Sequence, residues 1–258
     1  MNNKEILRIA KVQSAIDMSC NIVDFDSGRN KVVVSSSSKK SKSNFRDKAF
    51  CTFASYGNGL VASVDESIER YVTEFLNQEN SFRYFELPKM KKLNSELRKH
   101  GKIMTYMTQY FLPDISCEIS VNSDLQMTVF DEVTIEKLYD DERFSMALEY
   151  DNSSEKRDIL AIGGYLNGVL VGVAGASNDS EKMWQIGIDV LPEYRGENIA
   201  STLTQKITRT VLSKGIVPYC SIAWSNIASL RTAQSSGYKL SWVEISAASI
   251  DECDGFAE

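Results

Sequence analysis

Apolar residues recur along this chain with two alternating periods. Ile6, Ile9, Ala10, Val12 and Ile16 stand at helical spacing and predict an amphipathic helix near the start. Cys51 to Tyr56 and Leu60 to Val64 are apolar runs of strand length, and Gly57-Asn58-Gly59 between them predicts a hairpin. Asp65 stands where a helix cap is expected, ahead of a stripe of Ile68, Tyr71, Val72, Phe75 and Leu76. Pro88 opens a further helix with Met90, Leu93 and Leu97 inward and Gly101 as its stop. Ile103 to Phe111 and Glu118 to Val121 predict strands, separated by the break at Leu112-Pro113-Asp114.

The pattern then changes. Phe130-Asp131 opens a region of helical character that Asp140 to Tyr150 continues, with Met146, Ala147 and Leu148 as its apolar surface. Ile159 to Leu166 and Val169 to Ala174 flank Asn167-Gly168, the strongest hairpin signal in the chain. Met183 to Val190 is a third strand, and Pro192 ends it by withholding a ladder donor. Past the turn Tyr194-Arg195-Gly196-Glu197-Asn198, the residues Ile199, Leu203, Ile207 and Val211 recur every fourth position and mark a helix that Gly215 stops. Ile216 to Trp224 reads as a strand, Ser225 to Tyr238 as a short helix closed by Gly237, and Trp242 to Ile245 as a last strand. Hairpin, strand, helix, strand, helix, strand is an α+β order with a mixed central sheet flanked by helices. The expected domains are a smaller N-terminal α+β domain over 1–126, a second over 127–246 and an acidic tail over 247–258. Hairpin-then-helix order in the first domain faintly echoes the second, as a degenerate copy would.

Composition narrows the functional classes. The 258 residues carry a net charge of −6, which argues against general nucleic-acid binding. No apolar run is long enough to span a bilayer and no secretory leader opens the chain, so a cytoplasmic protein without membrane contact is expected. The five cysteines are scattered, with neither a metal-ligand spacing nor a disulfide framework. His100 is the only histidine and lies in a helix-end context, which leaves the second half without a Ser–His–Asp or Cys–His scheme of its own. The Ser/Lys-rich stretch 31–48 admits two readings, an anion-contacting arm or a solvated surface loop, and the acidic balance favours the loop.

The turn before the long helix carries the clearest chemistry. A strand, a turn of small residues and a helix N-terminus aim several backbone N–H groups one way, and the helix dipole adds positive potential there. Such a construction binds phosphate. Gly196 admits close approach, Asn198 tolerates positive φ or caps the helix, and Ala200 keeps the first helical turn slim.

Arg195-Gly196-Glu197-Asn198-Ile199-Ala200 resembles the acyl-CoA signature of the GNAT acetyltransferase superfamily, Gln/Arg-x-x-Gly-x-Gly/Ala, with Asn198 in place of the usual glycine. Val190-Leu191-Pro192-Glu193-Tyr194 matches the family's lead-in, and Asn226 to Tyr238 is similar to its second motif. The resemblance covers roughly Thr128 to Ile245. It implies acyl transfer from acetyl-CoA to an amine of a small molecule or peptide. It also implies pyrophosphate contacts from the backbone N–H groups of Arg195, Gly196, Asn198, Ile199, Ala200 and Ser201, with the Ser201 hydroxyl and the Arg195 charge in support. Arg195 otherwise forms a surface ion pair with Glu193 or Glu197. Val190 N–H is the implied donor to the thioester oxygen, and Asn226 the implied contact to the pantetheine or thiol end. The place where many relatives carry a tyrosine acid holds Ala233. Ser229, one helical turn earlier, is a poor substitute. Asp189 is the one carboxylate on the strand before the turn, and either handles protons and substrate or anchors a loop. Trp184, Trp224 and Tyr165 either line an acceptor pocket or pack in the core. The expected activity is N-acetyl transfer by direct attack in a ternary complex; the alternative is a non-catalytic acyl-CoA-binding or sensing module. The N-terminal domain is expected to shape a substrate pocket or to make a homodimer contact.

Overall fold

The computed structural model describes residues 1–42, 45–76, 80–148 and 157–254. In chain order the first elements are α1 (Asn3–Asp17), β1 (Lys31–Val34), β2 (Cys51–Ser55), β3 (Val61–Val64), α2 (Glu69–Leu76), α3 (Leu87–Leu97), β4 (Lys102–Pro113) and β5 (Gln126–Asp131). They are followed by β6 (Asp158–Leu166), β7 (Val169–Ser177), β8 (Met183–Val190), α4 (Ile199–Ser213), β9 (Val217–Ala223), α5 (Ile227–Ser235), β10 (Tyr238–Ser249) and α6 (Ile250–Asp254). The fold is mixed α+β, with sheet strands flanked by helices. Two compact units divide the chain, one of residues 11–110 and 241–258, the other of residues 1–10 and 111–240.

In the unit of residues 11–110 and 241–258, β2 and β3 pair antiparallel from Cys51↔Val64 to Ala54↔Val61, which is the hairpin predicted about Gly57-Asn58-Gly59. β1 joins β3 in parallel and β10 joins β2 antiparallel. Both faces of β2 and β3 are buried, which is why their sequences run apolar without alternation. Val72, Phe75, Leu93 and Leu97 of α2 and α3 pack on Phe53, Ala62 and Val64, while Met18 and Phe25 pack on Ala54 and Val61. The Asp65 carboxylate accepts the Ser67 N–H at 3.0 Å, the cap its position predicted.

Two expectations fail in this unit. The stretch 31–48 is not a solvated loop throughout: β1 lies inside it, and Ser35, Ser41 and Lys42 are buried. In α1, Val12 faces solvent and the buried line runs Ile6, Ala10, Gln13, Ser14 and Asp17. Gln13 and Asp17 are inward because both are hydrogen-bonded to the 40–42 backbone.

In the unit of residues 1–10 and 111–240, β5, β6, β7 and β8 form an antiparallel meander, and β9 joins β8 in parallel. α4 covers one face: Ile199, Leu203, Ile207 and Val211 pack on Ile162, Ala174, Ile186 and Val190. Each such burial contributes roughly 1.5–3 kcal/mol. Ile135, Leu138, Phe144, Ala147 and Leu148 cover the other face, against Ala161, Val173 and Leu191.

The sequence reading of this segment needs correction. Phe130 and Asp131 belong to β5, and single 3-10 turns at Ile135–Leu138 and Glu142–Phe144 replace the expected helix; Glu149 and Tyr150 lie outside the described residues. Glu118–Val121 is not a strand, because its backbone serves α4 instead: Ser120 O accepts the Ser201 hydroxyl at 3.0 Å. Phe111 packs with Ile222, Ala233 and Tyr238 within the unit of residues 1–10 and 111–240. β10 continues to Ser249 and α6 follows, so residues 247–254 of the acidic tail form elements, while 255–258 lie outside the described residues.

Candidate active site

β8 and β9 are paired only at their beginnings. The parallel register covers Met183↔Val217, Trp184↔Pro218 and Gln185↔Tyr219 and stops there. The second halves, Ile186–Val190 and Cys220–Ala223, have no register with each other. A split of this kind leaves backbone donors and acceptors available between two strand ends.

The hydrogen-bond parity of β8 shows which groups face that split. Leu191 N–H donates to Val171 O at 3.0 Å. The neighbouring pair Val190↔Gly172 is therefore of the non-hydrogen-bonded type, and Val190 N–H and C=O point away from β7. They point to the β9 side, where the ladder has ended. Val190 O accepts Arg195 Nε at 3.0 Å. The Arg195 side chain therefore holds the turn to the strand end, in place of the surface ion pair weighed for it.

From Arg195 to Asn198 the turn is solvent-exposed. Gly196 has φ +89° and Asn198 φ +59°. Asn198 thus takes the left-handed conformation that glycine would supply, and its side chain makes no capping bond. Thr202 N–H is the first to bond back, to Asn198 O at 3.0 Å. The N–H groups of Ile199, Ala200 and Ser201 precede that bond and find no acceptor among the described residues. The Ser201 hydroxyl contradicts its expected role: it is shared between Ser120 O and Asn198 O, each at 3.0 Å, and the residue is buried. Its hydroxyl hydrogen is committed to protein carbonyls, so the backbone N–H is the donor that Ser201 leaves unbonded. Asn122, which sequence reasoning missed, braces the turn. Its N–H donates to Thr202 Oγ1 at 2.7 Å and its Nδ2 to Glu197 O at 3.0 Å. Beside it runs a groove of about 500 Å³, lined in part by Leu125, Met127, Lys206 and Arg209.

Asp189 lies on the face of β8 opposite Ile186, Ile188 and Val190, as alternation requires. Its Oδ2 accepts Met146 N–H at 3.1 Å, so the carboxylate does anchor a loop. Burial pushes its carboxyl up; the Met146 N–H, the Arg195 charge and the Val190 N–H pull the other way. Two facing glycines admit that loop. Gly175 and Gly187 are register partners, and a Cβ on either would lie 2.1 Å or 2.9 Å from Ala147 O. Glycines are visible in the sequence, but nothing local tells that these two pair.

At the end of β9, Asn226 caps α5 through its Oδ1, which accepts Ser229 N–H at 3.1 Å. Asn226 is exposed and Ser229 is partly buried. Trp224 is 60 % exposed, while Trp184 is partly buried against the α4 core. Ala233 is buried among Phe111, Ile222 and Tyr238. The nearby phenol of Tyr238 is bonded to Thr208 Oγ1 at 2.7 Å, and burial pushes its proton affinity well up. His100 sits in the other unit against the Phe50 ring.

Residues 125–238 match the model of the Acetyltransferase (GNAT) family. No curated protein matches the chain. Among solved structures it is similar to a GCN5-related N-acetyltransferase-like protein from Streptococcus suis 89/1591, at 18 % identity and TM-score 0.41, covering 62 % of this chain and 68 % of that one. It is also similar to an acetyltransferase from the GNAT family of Colwellia psychrerythraea, at 13 % identity and TM-score 0.40, covering 59 % and 60 %. A third is the aminoglycoside N-acetyltransferase AAC(6')-Iy in complex with CoA, at 19 % identity and TM-score 0.37, covering 48 % and 93 %. The chain spans 60 to 68 % of the length of the first solved structures it matches. What these comparisons give is a match to a family model: residues 125–238, which include the split strands and the turn they carry, match that of the Acetyltransferase (GNAT) family.

Proposed function

We propose that this chain transfers an acetyl group from acetyl-CoA to the amine of a small molecule or peptide, by direct attack in a ternary complex. One observation carries the reading. An exposed turn with two left-handed residues leads into a helix whose first N–H groups are unbonded, at the mouth of two strands that have parted. In this reading the N–H groups of Gly196, Asn198, Ile199, Ala200 and Ser201 hold the pyrophosphate. The Arg195 charge supports them from its place on Val190 O. Pantetheine lies in the split, with the exposed end of Asn226 beside its thiol end.

Val190 N–H then faces the thioester oxygen and stabilises the negative charge that develops as the amine nitrogen attacks the carbonyl carbon. The C–S bond breaks, and the thiolate leaves with CoA. Asp189, half-buried and one residue before that donor, takes the amine proton directly or through water. Ser229 is too weak an acid to dominate return of a proton to sulfur, so solvent supplies it.

A second reading has a specific observation in its favour. Ala233 fills the position of the usual acid and is packed in the core, as expected of a module that binds acyl-CoA without turning it over. Calorimetry with acetyl-CoA, followed by a thiol-release assay over a panel of primary amines, separates the two. Tight binding and thiol release with some amine support the enzyme. Tight binding and no release with any amine would leave the binding module, and absence of binding would remove both.

A further inference from the structure

The unit of residues 11–110 and 241–258 contains a charged cluster where apolar packing would be the default. Lys42 is 3 % exposed, Asp17 4 % and Glu244 2 %. Lys42 Nζ lies 3.4 Å from Asp17 Oδ2 and 4.0 Å from Glu244 Oε1. Three ring faces surround the same ammonium, with centroids at 4.8 Å (Tyr110), 5.2 Å (Phe45) and 5.5 Å (Trp242). Trp242 is stacked between Tyr110, at 4.6 Å, and Tyr56, at 5.3 Å. Its indole N–H donates to Glu244 Oε1 at 2.7 Å.

Two features separate this box from an ordinary buried ion pair. Glu244 Oε2 is buried and accepts no hydrogen bond among the described residues, and Asp17 Oδ2, equally buried, has the Lys42 charge at 3.4 Å but no hydrogen bond there. Buried carboxylate oxygens left so are costly, and an apolar set of the same volume would stabilise the fold as well or better. Rings facing a cation, backed by carboxylates, also form the arrangement that recognises alkylammonium groups. Lys42 is itself an alkylammonium on a flexible stem. It enters from the Ser/Lys-rich stretch, in which the preceding Lys39 and Lys40 are exposed.

We propose that Asp17, Tyr110, Trp242 and Glu244 form a binding site for a primary alkylammonium, which Lys42 occupies from within the chain and which an external amine enters by displacing it. The site is independent of the acetyl-transfer reading and stands or falls without it.

The test uses n-butylammonium, which matches the lysine stem and head, with n-butanol as the neutral control. Lys42→Ala is melted with increasing amounts of each. The ammonium is expected to raise the variant's Tm at a concentration at least about tenfold below that at which the alcohol does. In the unaltered protein, hydrogen exchange is followed over residues 35–48, where Lys42 N–H is bonded to Asp17 Oδ1 at 2.9 Å. n-Butylammonium is expected to speed exchange there and n-butanol is not. Glu244→Gln is expected to raise the concentration required by about tenfold or more. Equal effects of ammonium and alcohol on the variant would overturn the proposal. So would exchange that ignores the ammonium in the unaltered protein, which would reduce the box to a fixed internal ion pair. If Lys42→Ala does not fold, the exchange measurement decides alone.

Discussion

Arg195 Nε donates to Val190 O at 3.0 Å, joining the turn to the last residue of β8. The bond uses a carbonyl that the sheet leaves open, because Val190 and Gly172 form a non-hydrogen-bonded pair. One side chain thereby sets the turn against the strand end and brings positive charge near Asp189. The proposed phosphate cradle and the proposed oxyanion donor are thus positioned by a single contact.

Gly196 tests the cradle. Its φ of +89° strains any L side chain, and a Cβ there would meet nothing within 4 Å, so a substituent would project into open space beside the turn. Gly196→Val is expected to cost about 1–2 kcal/mol of stability. Acetyl-CoA affinity should fall by at least about tenfold. Calorimetry on the folded variant checks this; unchanged affinity would place the phosphates elsewhere.

Asp189→Asn keeps an acceptor for Met146 N–H and removes the charge. If Asp189 takes the amine proton, kcat should fall by roughly 100-fold or more, with acetyl-CoA affinity little changed. A variant as fast as the parent retires that role and leaves Asp189 as a loop anchor.

The same substitution has a pH signature. Burial raises the Asp189 carboxyl above its ordinary value. The folded state therefore binds more protons than the unfolded state across that window. The contribution of Asp189 to stability is full below the unfolded value and is lost as pH rises through the folded one. The Asn variant has no such dependence, so its Tm relative to the parent should rise as pH increases through the carboxylate range. A difference in Tm flat with pH would contradict the raised carboxyl.

Gly175 tests whether the 146–147 backbone must lie on the sheet. A Cβ at Gly175 would fall 2.1 Å from Ala147 O, against backbone that cannot swing aside as a side chain would. Gly175→Ala should destabilise by about 1–3 kcal/mol. It should also raise KM for the amine more than Kd for acetyl-CoA. Thermal melts and a KM comparison read both, and a variant that changes neither would mean the loop is free to move.

Ala233→Tyr asks whether the usual acid can be restored by one substitution. Ala233 is 5 % exposed and enclosed by Phe111, Ile222 and Tyr238. A tyrosine there overpacks the cluster, so a loss of about 1–3 kcal/mol and no gain in kcat are expected. A stable, faster variant would show that the position opens toward the reacting groups.

Local chemistry determined a large share of this protein from sequence alone. Apolar period set β6 to β8 and α4, Asn167-Gly168 set their hairpin, and the Arg195–Ala200 run marked the turn, because each depends on neighbours in the chain. The three-dimensional arrangement decided the rest. That Val190 N–H faces a split depends on where the β8–β9 register ends, and that the Ser201 hydroxyl is spent depends on Ser120, distant in sequence. Lys42 lies in a stretch read as a solvated loop, yet it is buried because Asp17 of α1, Tyr110 of β4 and Glu244 of β10 meet around its ammonium. Backbone conformation answers to adjacent residues, whereas desolvation and hydrogen-bond partnership are settled by groups that only folding brings together.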